Sequence, residues 1–483
     1  MTFQIEAIRF HVLPMRTRFP FKYGIASLTA LPHLFVSVEL LMNGNAVNGL
    51  ASEGLPPKWF TKDPDSSFAQ DLAVMLSVIQ NAARIGRHAA AKPVSFFEWW
   101  KSLYDEQSLW ATHQAHPALL AHLGTSLIER AVLDALCRGS GSTLHRLLQS
   151  NQLGIDLGVL RSELAGVPVS AALAETPLQS VEVRHTVGLA DPLTDDDLPP
   201  NEAANDGLPQ TLEESIRAYG LRWFKIKLGG NPEADRDRLC RIARLLEVEC
   251  RAGWSCTLDG NEQYTDMQAF CEFYSGLKSA PELATLLANV AVIEQPVHRS
   301  HALDAGVAAA LRDFDGPGII IDESDGALTD LPQALALGYR GTSHKNCKGI
   351  VKSLANSALL RSRAAGGVRS VITGEDLASV GPVAMIKDIA VAAALGISHV
   401  ERNGHHYFKG LSMFSETIQA QMLEHHGDIY ERSAQGFATL AIRNGRVSLW
   451  SVNEAPFGHA FLPDMSEFEL LNDWIKRGGM SFL

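Results

Sequence analysis

"FKIKLGG", residues 224–230, has the apolar alternation of a buried strand, yet it carries two lysines, Lys225 and Lys227, two positions apart. Lysine is almost never fully buried without a partner, and taking its charge out of water costs several kcal/mol. Side chains alternate along a strand, so both ammonium groups leave the same face. That face is either wet, as at the edge of a sheet, or it looks into a polar cavity.

The flanking sequence bears on that choice. From about residue 180, short apolar stretches alternate with helical ones: "VEVRHTVGL", "LRWFKIKL", "SCTLDGN", "VAVIEQPV", "GIIIDESD", "GTSHKNC", "RSVITGED" and "ISHVERNG". Strands alternating with helices make parallel βαβ units, and eight of them are the number that closes a (β/α)8 barrel. An open doubly wound sheet is the alternative, but it wants a GxGxxG phosphate loop after an early strand, and none is present. Upstream, residues 3–55 alternate as strands, with "HLFVSVELLMNGNAVNGLASEG" reading as two strands joined at Asn43–Gly44, and residues 66–150 turn helical. The predicted fold class is α/β, a TIM-type barrel with an α+β capping domain. Its divisions are 1–180 for the cap, 181–430 for the barrel, and 431–483 for a segment returning to the cap. "DPLTDDDLPPNEAANDGLPQ", residues 191–210, is expected to be a solvated insertion; it lacks the regular spacing and closing glutamate of a calcium loop.

A chain of 483 residues exceeds one ordinary core, and with 46% hydrophobic and 20% charged residues it is no disordered polymer. No apolar run approaches the roughly 18 residues of a membrane span, and "MTFQIEAIRF" lacks the order of a signal peptide, so a cytoplasmic enzyme is expected. A net charge of -12 argues against nucleic-acid or membrane-surface partners, which need basic surface, and leaves room for a small anionic substrate in a locally cationic site. The six cysteines show no CxxC spacing, which suggests neither a zinc cluster nor a disulfide framework.

In a (β/α)8 barrel the working residues stand at the C-terminal strand ends. Here those ends carry Lys225 and Lys227, Asp259 with Asn261, Glu294, Asp322 with Glu323, Lys345, and Glu375 with Asp376. Three carboxylates on consecutive strands are expected to converge, and hard oxygen donors of this kind select Mg2+. "KIK", "LDGN", "IEQP" and "IDES" match in order the KxK, DxN, EQP and DES signatures of the enolase superfamily. "ERAVLDALCRGSGSTLHRLL" is similar to the helix that precedes the barrel there. The chain thus resembles the mandelate racemase/muconate lactonizing enzyme family, most closely its muconate lactonizing branch.

The resemblance implies Asp259, Glu294 and Asp322 as Mg2+ ligands, with Asn261 and Glu323 beside them. It implies Lys227 as a base on one face of the substrate and Lys345 as acid or base on the other. Lys225 becomes a helper that depresses the pKa of Lys227 and donates to the substrate carboxylate. "SHKNCKGI" departs from the pattern, keeping only Gly349 where the family has a Gly-Gly pair, so Lys348 rivals Lys345. Lys345 is preferred as lying inside the strand, with Lys348 expected to be solvated. The seventh strand has no histidine, against the mandelate racemase dyad, and the eighth lacks the paired aspartates of dipeptide epimerases. Glu375 and Glu401 are expected to bind substrate, with Arg402, His405 and His406 around its distal part. Substrate choice is expected to lie in a mobile cap loop, "RTRFPFKYGIASLT" (16–29), with Phe19, Phe21 and Tyr23 as lid residues. The implied chemistry is abstraction of a proton α to a carboxylate of a small molecule, with the enolate stabilised by metal and cationic donors. Racemisation or epimerisation, cycloisomerisation, dehydration and a binding role without catalysis all remain open, and a homo-oligomer is expected.

Overall fold

The computed structural model describes residues 1–198 and 202–481. The chain opens with three antiparallel strands, β1 (Thr2–Tyr23), β2 (Ala26–Met42) and β3 (Asn45–Gly54), and a two-residue strand β4 (Val94–Ser95) on the edge of β1. The expected Asn43–Gly44 turn joins β2 to β3, with φ of 50° and 79°, the left-handed pair that a two-residue hairpin requires. Helices Phe68–Ala89, Phe96–His113 and Ala118–Ser140 complete the cap. The last of these is buried from Leu119 to Cys137. It approaches β3 so closely that a Cβ on Gly49 would stand 2.2 Å from the Ala131 carbonyl oxygen.

Eight parallel strands follow: β5 (Ser180–Val187), β6 (Trp223–Lys227), β7 (Ser255–Asp259), β8 (Val290–Glu294), β9 (Gly318–Ile320), β10 (Gly341–His344), β11 (Val371–Gly374) and β12 (His399–Arg402). Each is one of the eight stretches read as strands. β12 pairs with β5, and a bridge between Ile321 and Thr342 joins β9 to β10, so the ring closes. A closed ring gives β6 no wet edge, which leaves its lysines the barrel interior. Lys227 lies level with Asp259, and Asp259 with Glu294, so one layer of the barrel holds a lysine and two acids.

After the barrel, β13 (Tyr430–Arg432) and β14 (Ala438–Leu440) form a hairpin. β15 (Arg446–Ser448) runs antiparallel to β5, and β16 (Glu469–Leu470) adds to β1. The six cysteines are free. Among the described residues, no helix is long and apolar enough to cross a membrane.

Two expectations are corrected. Residues 16–29 are not a loop: β1 and β2 continue as one long hairpin that turns at Gly24–Ile25. Its irregularity is a bulge, since Arg16 faces Ala30 and Phe21 faces Leu28, leaving Thr17–Pro20 opposite Thr29 alone. The 191–210 stretch is only partly solvated. Asp191, Leu193 and Gln210 are buried. Arg18, in the bulge, donates to Asp206 at 2.6 and 2.8 Å and to the carbonyl oxygens of Leu208, Pro209 and His406. One guanidinium thereby satisfies acceptors that a proline-rich turn leaves open. Residues 199–201 of that stretch lie outside the described residues.

His33, His122, His185 and His344 are fully enclosed, and burial lowers each from 6.5 to about 3. Between those values the unfolded chain binds protons that the folded one refuses, so stability falls as pH drops through 6.5 toward 3. The slope is at most about 1.4 kcal/mol per pH unit for each histidine. Glu129, raised by burial to about 7, and Asp388, raised to about 8, act in the opposite sense. The useful readout is therefore the difference between wild type and His122→Gln. In urea titrations from pH 7 to 4 the variant is expected to lose stability less steeply; identical slopes would contradict the assignment.

Candidate active site

The β6 lysines end inside a nest of acids. Lys225 is 1% exposed, and its Nζ lies 2.5 Å from Glu375 Oε2, 2.9 Å from Glu294 Oε1, 3.0 Å from Asp259 Oδ2 and 3.2 Å from Glu401 Oε2. Burial opposes its charge, but these four carboxylates outweigh that and hold its pKa well above the ordinary lysine value. Lys227 Nζ donates to Asp259 Oδ2 at 2.5 Å. Across the ring, Lys345 Nζ donates to Asp322 Oδ2 at 2.5 Å, while Lys348 Nζ lies 2.8 Å from Asp322 Oδ1 and donates to the Asp322 carbonyl at 2.7 Å. Burial would raise Asp322, yet Lys345 and Lys348 keep it well below the carboxylate range. Asp322 in turn holds Lys345 above the ordinary lysine value against the opposing effect of burial. Arg184, from β5, pairs with Glu375. Arg184, Lys225, Lys227, Lys345 and Lys348 thus share one cluster with the carboxyl groups of Asp259, Glu294, Asp322, Glu375 and Glu401.

Lys348 is therefore not solvated. Lys345 is the first residue beyond β10, and a single 3-10 turn, Asn346–Lys348, folds the chain back so that Lys348 points at the end of β9. The helix Ile350–Ala365 follows, and the buried Glu129 of the cap accepts from its first two amide groups, those of Ile350 and Val351, at 2.9 and 2.8 Å. That places a carboxylate at the positive end of the helix and pins the turn carrying both lysines.

Above the charges lies a cavity whose roof comes from the cap: Phe21, Tyr23, Leu28, Pro56 and Trp59. Its floor and walls come from Lys225, Lys227, Asp322, Lys345, Asp376, Leu377, Ala378, Glu401 and Asn403. The cavity is small, about 30 Å³, room for one or two waters. Phe21 stacks on Tyr407 at 4.0 Å between ring centroids, and Lys345 Nζ sits 4.7 Å from the centre of the Trp59 ring. The backbone of Trp59 and Phe60 is held by Arg299, which donates to both carbonyl oxygens at 2.8 Å and grips Glu262; Lys62 reaches the same Glu262 at 2.6 Å.

Of the residues proposed from sequence, Lys225, Lys227, Lys345, Asp322, Glu401 and Tyr23 border this cavity. Asp259, Glu294 and Glu375 are buried behind the lysines and are not among its lining residues. His405 and His406 are also set apart: His405 meets His185 at 3.1 Å, and His406 packs against Phe19, with 5.0 Å between ring centroids. Phe19 therefore anchors the hairpin rather than facing a ligand. The sequence reading missed Arg184, Trp59 and Asn403. Arg184 carried a usable signal, a cation two residues before Thr186 in an apolar strand, as in "KIK".

The acids Asp259, Glu294 and Asp322 have the donor chemistry for Mg2+: all are hard oxygens at successive strand ends and buried. They also crowd one another. Burial first, then Asp259 and Glu375, push Glu294 well above the usual carboxylate range. Among the described residues, however, no three such groups close on a single cation position, because lysine ammonium groups interleave them. Removing one member of such a nest leaves uncompensated buried charge, at a cost of about 3–5 kcal/mol. Lys225→Met is accordingly expected to lower the unfolding free energy by that order in urea titration at pH 7. A loss below about 1 kcal/mol, the scale of a surface pair, would contradict the burial of its charge.

No family model matches this sequence, and no curated protein sequence does. Solved structures do match in fold. The muconate lactonizing enzyme from Pseudomonas fluorescens complexed with muconolactone superposes with a TM-score of 0.57 at 16% identity, covering 98% of each chain. An enolase from Bradyrhizobium complexed with magnesium and mandelic acid gives 0.56 at 13%, over 99% of this chain and 98% of that one. A dipeptide epimerase from Enterococcus faecalis V583, complexed with Mg and L-Leu-L-Tyr, gives 0.55 at 16%, over 84% of this chain and 92% of that one. Likeness at this identity establishes architecture alone: the chain shares with these structures a closed (β/α)8 barrel under an α+β cap.

Proposed function

We propose that this protein is a Mg2+-dependent enzyme that removes the proton α to the carboxylate of a small molecule and stabilises the resulting enolate. The observation that carries the reading is the placement of Lys227 and Lys345. Both border one cavity, from strands β6 and β10, which are four strands apart in either direction around a closed ring of eight. A ligand seated between them presents one face of its α-carbon to each. Lys225 fixes the ligand carboxylate from below, Lys227 takes the α-proton, and Lys345, kept protonated by Asp322, returns a proton from the opposite side. Proton return on the other face gives racemisation or epimerisation; use of Lys227 alone gives cycloisomerisation or dehydration. Asp259, Glu294 and Asp322 would hold the divalent cation only once Lys225 Nζ, which here contacts both Asp259 and Glu294, moved aside, and the cation would then supply Lewis-acid stabilisation of the enolate oxygens.

A binding role without catalysis is the second reading, favoured by the small cavity and by the pairing of every charge that borders it. Proton exchange separates the two. In deuterium oxide with Mg2+, a panel of chiral carboxylates is followed by NMR. At least one is expected to exchange its α-proton, and Lys227→Ala to slow that exchange by about 10²-fold or more. Lys345→Ala is expected to keep exchange while losing inversion. Absence of exchange across the panel, or exchange indifferent to Lys227→Ala, would favour the binding role.

The cation assignment has its own check. Calorimetric titration of chelator-treated protein with Mg2+ is expected to show one site per chain, lost in Asp322→Asn; binding unaffected by that change would refute the ligand set.

A further inference from the structure

Three histidines are packed into one buried cluster behind the β1–β2 hairpin. His185 lies on β5, where its neighbours Arg184 and Thr186 reach the interior acids Glu375 and Glu401, so strand alternation sends its imidazole to the outside of the barrel. There it meets His405 and His406 of the short helix Gly404–Tyr407, with ring centroids at 5.2 and 4.9 Å. The three side chains are 1%, 8% and 2% exposed. The hairpin closes over them. Arg18 donates to the His406 carbonyl at 2.7 Å, Phe19 sets its ring edge-on to His406 at 5.0 Å, and Phe21 stacks on Tyr407 at 4.0 Å. Phe21 and Tyr23, on the same hairpin, are part of the cavity roof.

This packing suits neutral imidazoles only. His185 Nδ1 and His405 Nε2 are 3.1 Å apart, a hydrogen bond in which one nitrogen carries the proton and the other accepts it. With both rings charged, both nitrogens carry protons and the bond is lost. His405 Nδ1 and both ring nitrogens of His406 are buried without a hydrogen-bond partner, so added charge there meets no acceptor. The surrounding groups do not offset this. Arg18, held by Asp206, and Arg402 are cations. Asp191 lies 3.8 Å from His406 Nε2, but it already accepts from the Tyr407 hydroxyl at 2.6 Å and the Gly188 amide at 2.7 Å, with Arg238 donating to its carbonyl at 2.9 Å. Tyr219, at the end of the helix Leu212–Tyr219, presents its ring to His405 at 5.5 Å.

We propose that His185, His405 and His406 form a proton-operated latch: neutral, they hold the hairpin against the barrel, and protonated, they release it and lift Phe21 and Tyr23 from the cavity. Burial lowers His185 to about 3; burial first, then neighbouring imidazoles and arginines, hold His405 and His406 well below 6.5. Once released, each returns toward 6.5, so below that pH the open form binds more protons than the closed one. The opening constant then rises, as pH falls, by up to about tenfold per pH unit for each histidine; above 6.5 neither form is protonated and the hairpin stays closed.

A nitroxide on Ile25→Cys, at the exposed hairpin tip, reads the latch in the full chain with the half-buried Cys240 and Cys271 changed to serine. From pH 7.5 to 4.5 the spectrum is expected to pass from a slow to a fast component. The ratio should rise by more than about tenfold per pH unit at its steepest, which needs more than one histidine, while far-ultraviolet circular dichroism stays constant. His406→Phe keeps a ring for Phe19 to pack against and removes both unpaired nitrogens; it is expected to cut that slope by about tenfold per pH unit. His185→Gln should do the same and serves if the first variant does not fold. His122→Gln, buried in the cap against Tyr104, is expected to leave the slope unchanged. A hairpin that stays immobile to pH 4.5, or that is freed only as circular dichroism is lost, would overturn the proposal. So would a slope of tenfold or less, a full slope in a folded His406→Phe or His185→Gln, or an equal loss in His122→Gln.

Discussion

Everything in this molecule is arranged around one ammonium group. Lys225 Nζ sits in the centre of a closed barrel with four carboxylates within 3.2 Å, contributed by β7, β8, the residue after β11, and β12. A charge so placed is tolerable only while every partner is in position, because each acid left over is itself a buried charge. The register of the strands around the ring is constrained accordingly. A slip of β7 by one residue would turn Asp259 outward and bring Leu258 in, leaving both Lys225 and Lys227 short of a partner.

The cap is held to the same centre by polar contacts rather than by apolar packing alone. Glu129 reaches from a cap helix to the amides that begin Ile350–Ala365, just beyond Lys348. Arg130, next to it, pairs at 2.9 Å with Glu53 of β3, whose other oxygen accepts from Ser379, close to the cavity wall. Arg299 and Lys62 converge on Glu262, three residues past Asp259, and so tie the roof tryptophan to the end of β7. A displacement of the roof must work against these ties. The roof of Phe21, Tyr23 and Trp59 is therefore a built part of the site and not an accident of chain collapse.

Local patterns in the sequence were informative wherever the deciding interaction is periodic. The eight strands, the Asn43–Gly44 turn and the shared face of Lys225 and Lys227 all follow from alternation and turn chemistry within a few residues. Where the deciding contact is not periodic, that legibility ended. Lys348 reads as solvated beside a glycine, and only the fold of the 3-10 turn onto Asp322 buries it. The stretch 16–29 was expected to be a loop only from the resemblance, and the pairing of Arg16 with Ala30 and of Phe21 with Leu28 shows a bulge in a continuous hairpin instead. Trp59 and Asn403 bear no motif at all. Their place at the cavity depends on how the cap docks and on how β12 ends. The interleaving of lysines among the acids was equally out of reach, since spacing along the chain says which strand ends are acidic but not which ammonium reaches them first.

The lysines and acids at the strand ends form one centre. The most direct measurement is a crystal structure of the protein grown with Mn2+ in place of Mg2+, located by its anomalous signal. The expected result is a single manganese peak in contact with Asp259, Glu294 and Asp322, with Lys227 and Lys345 Nζ on opposite walls of the cavity beneath Trp59. Manganese bound elsewhere, or Lys345 turned to solvent with Lys348 in its place, would contradict it.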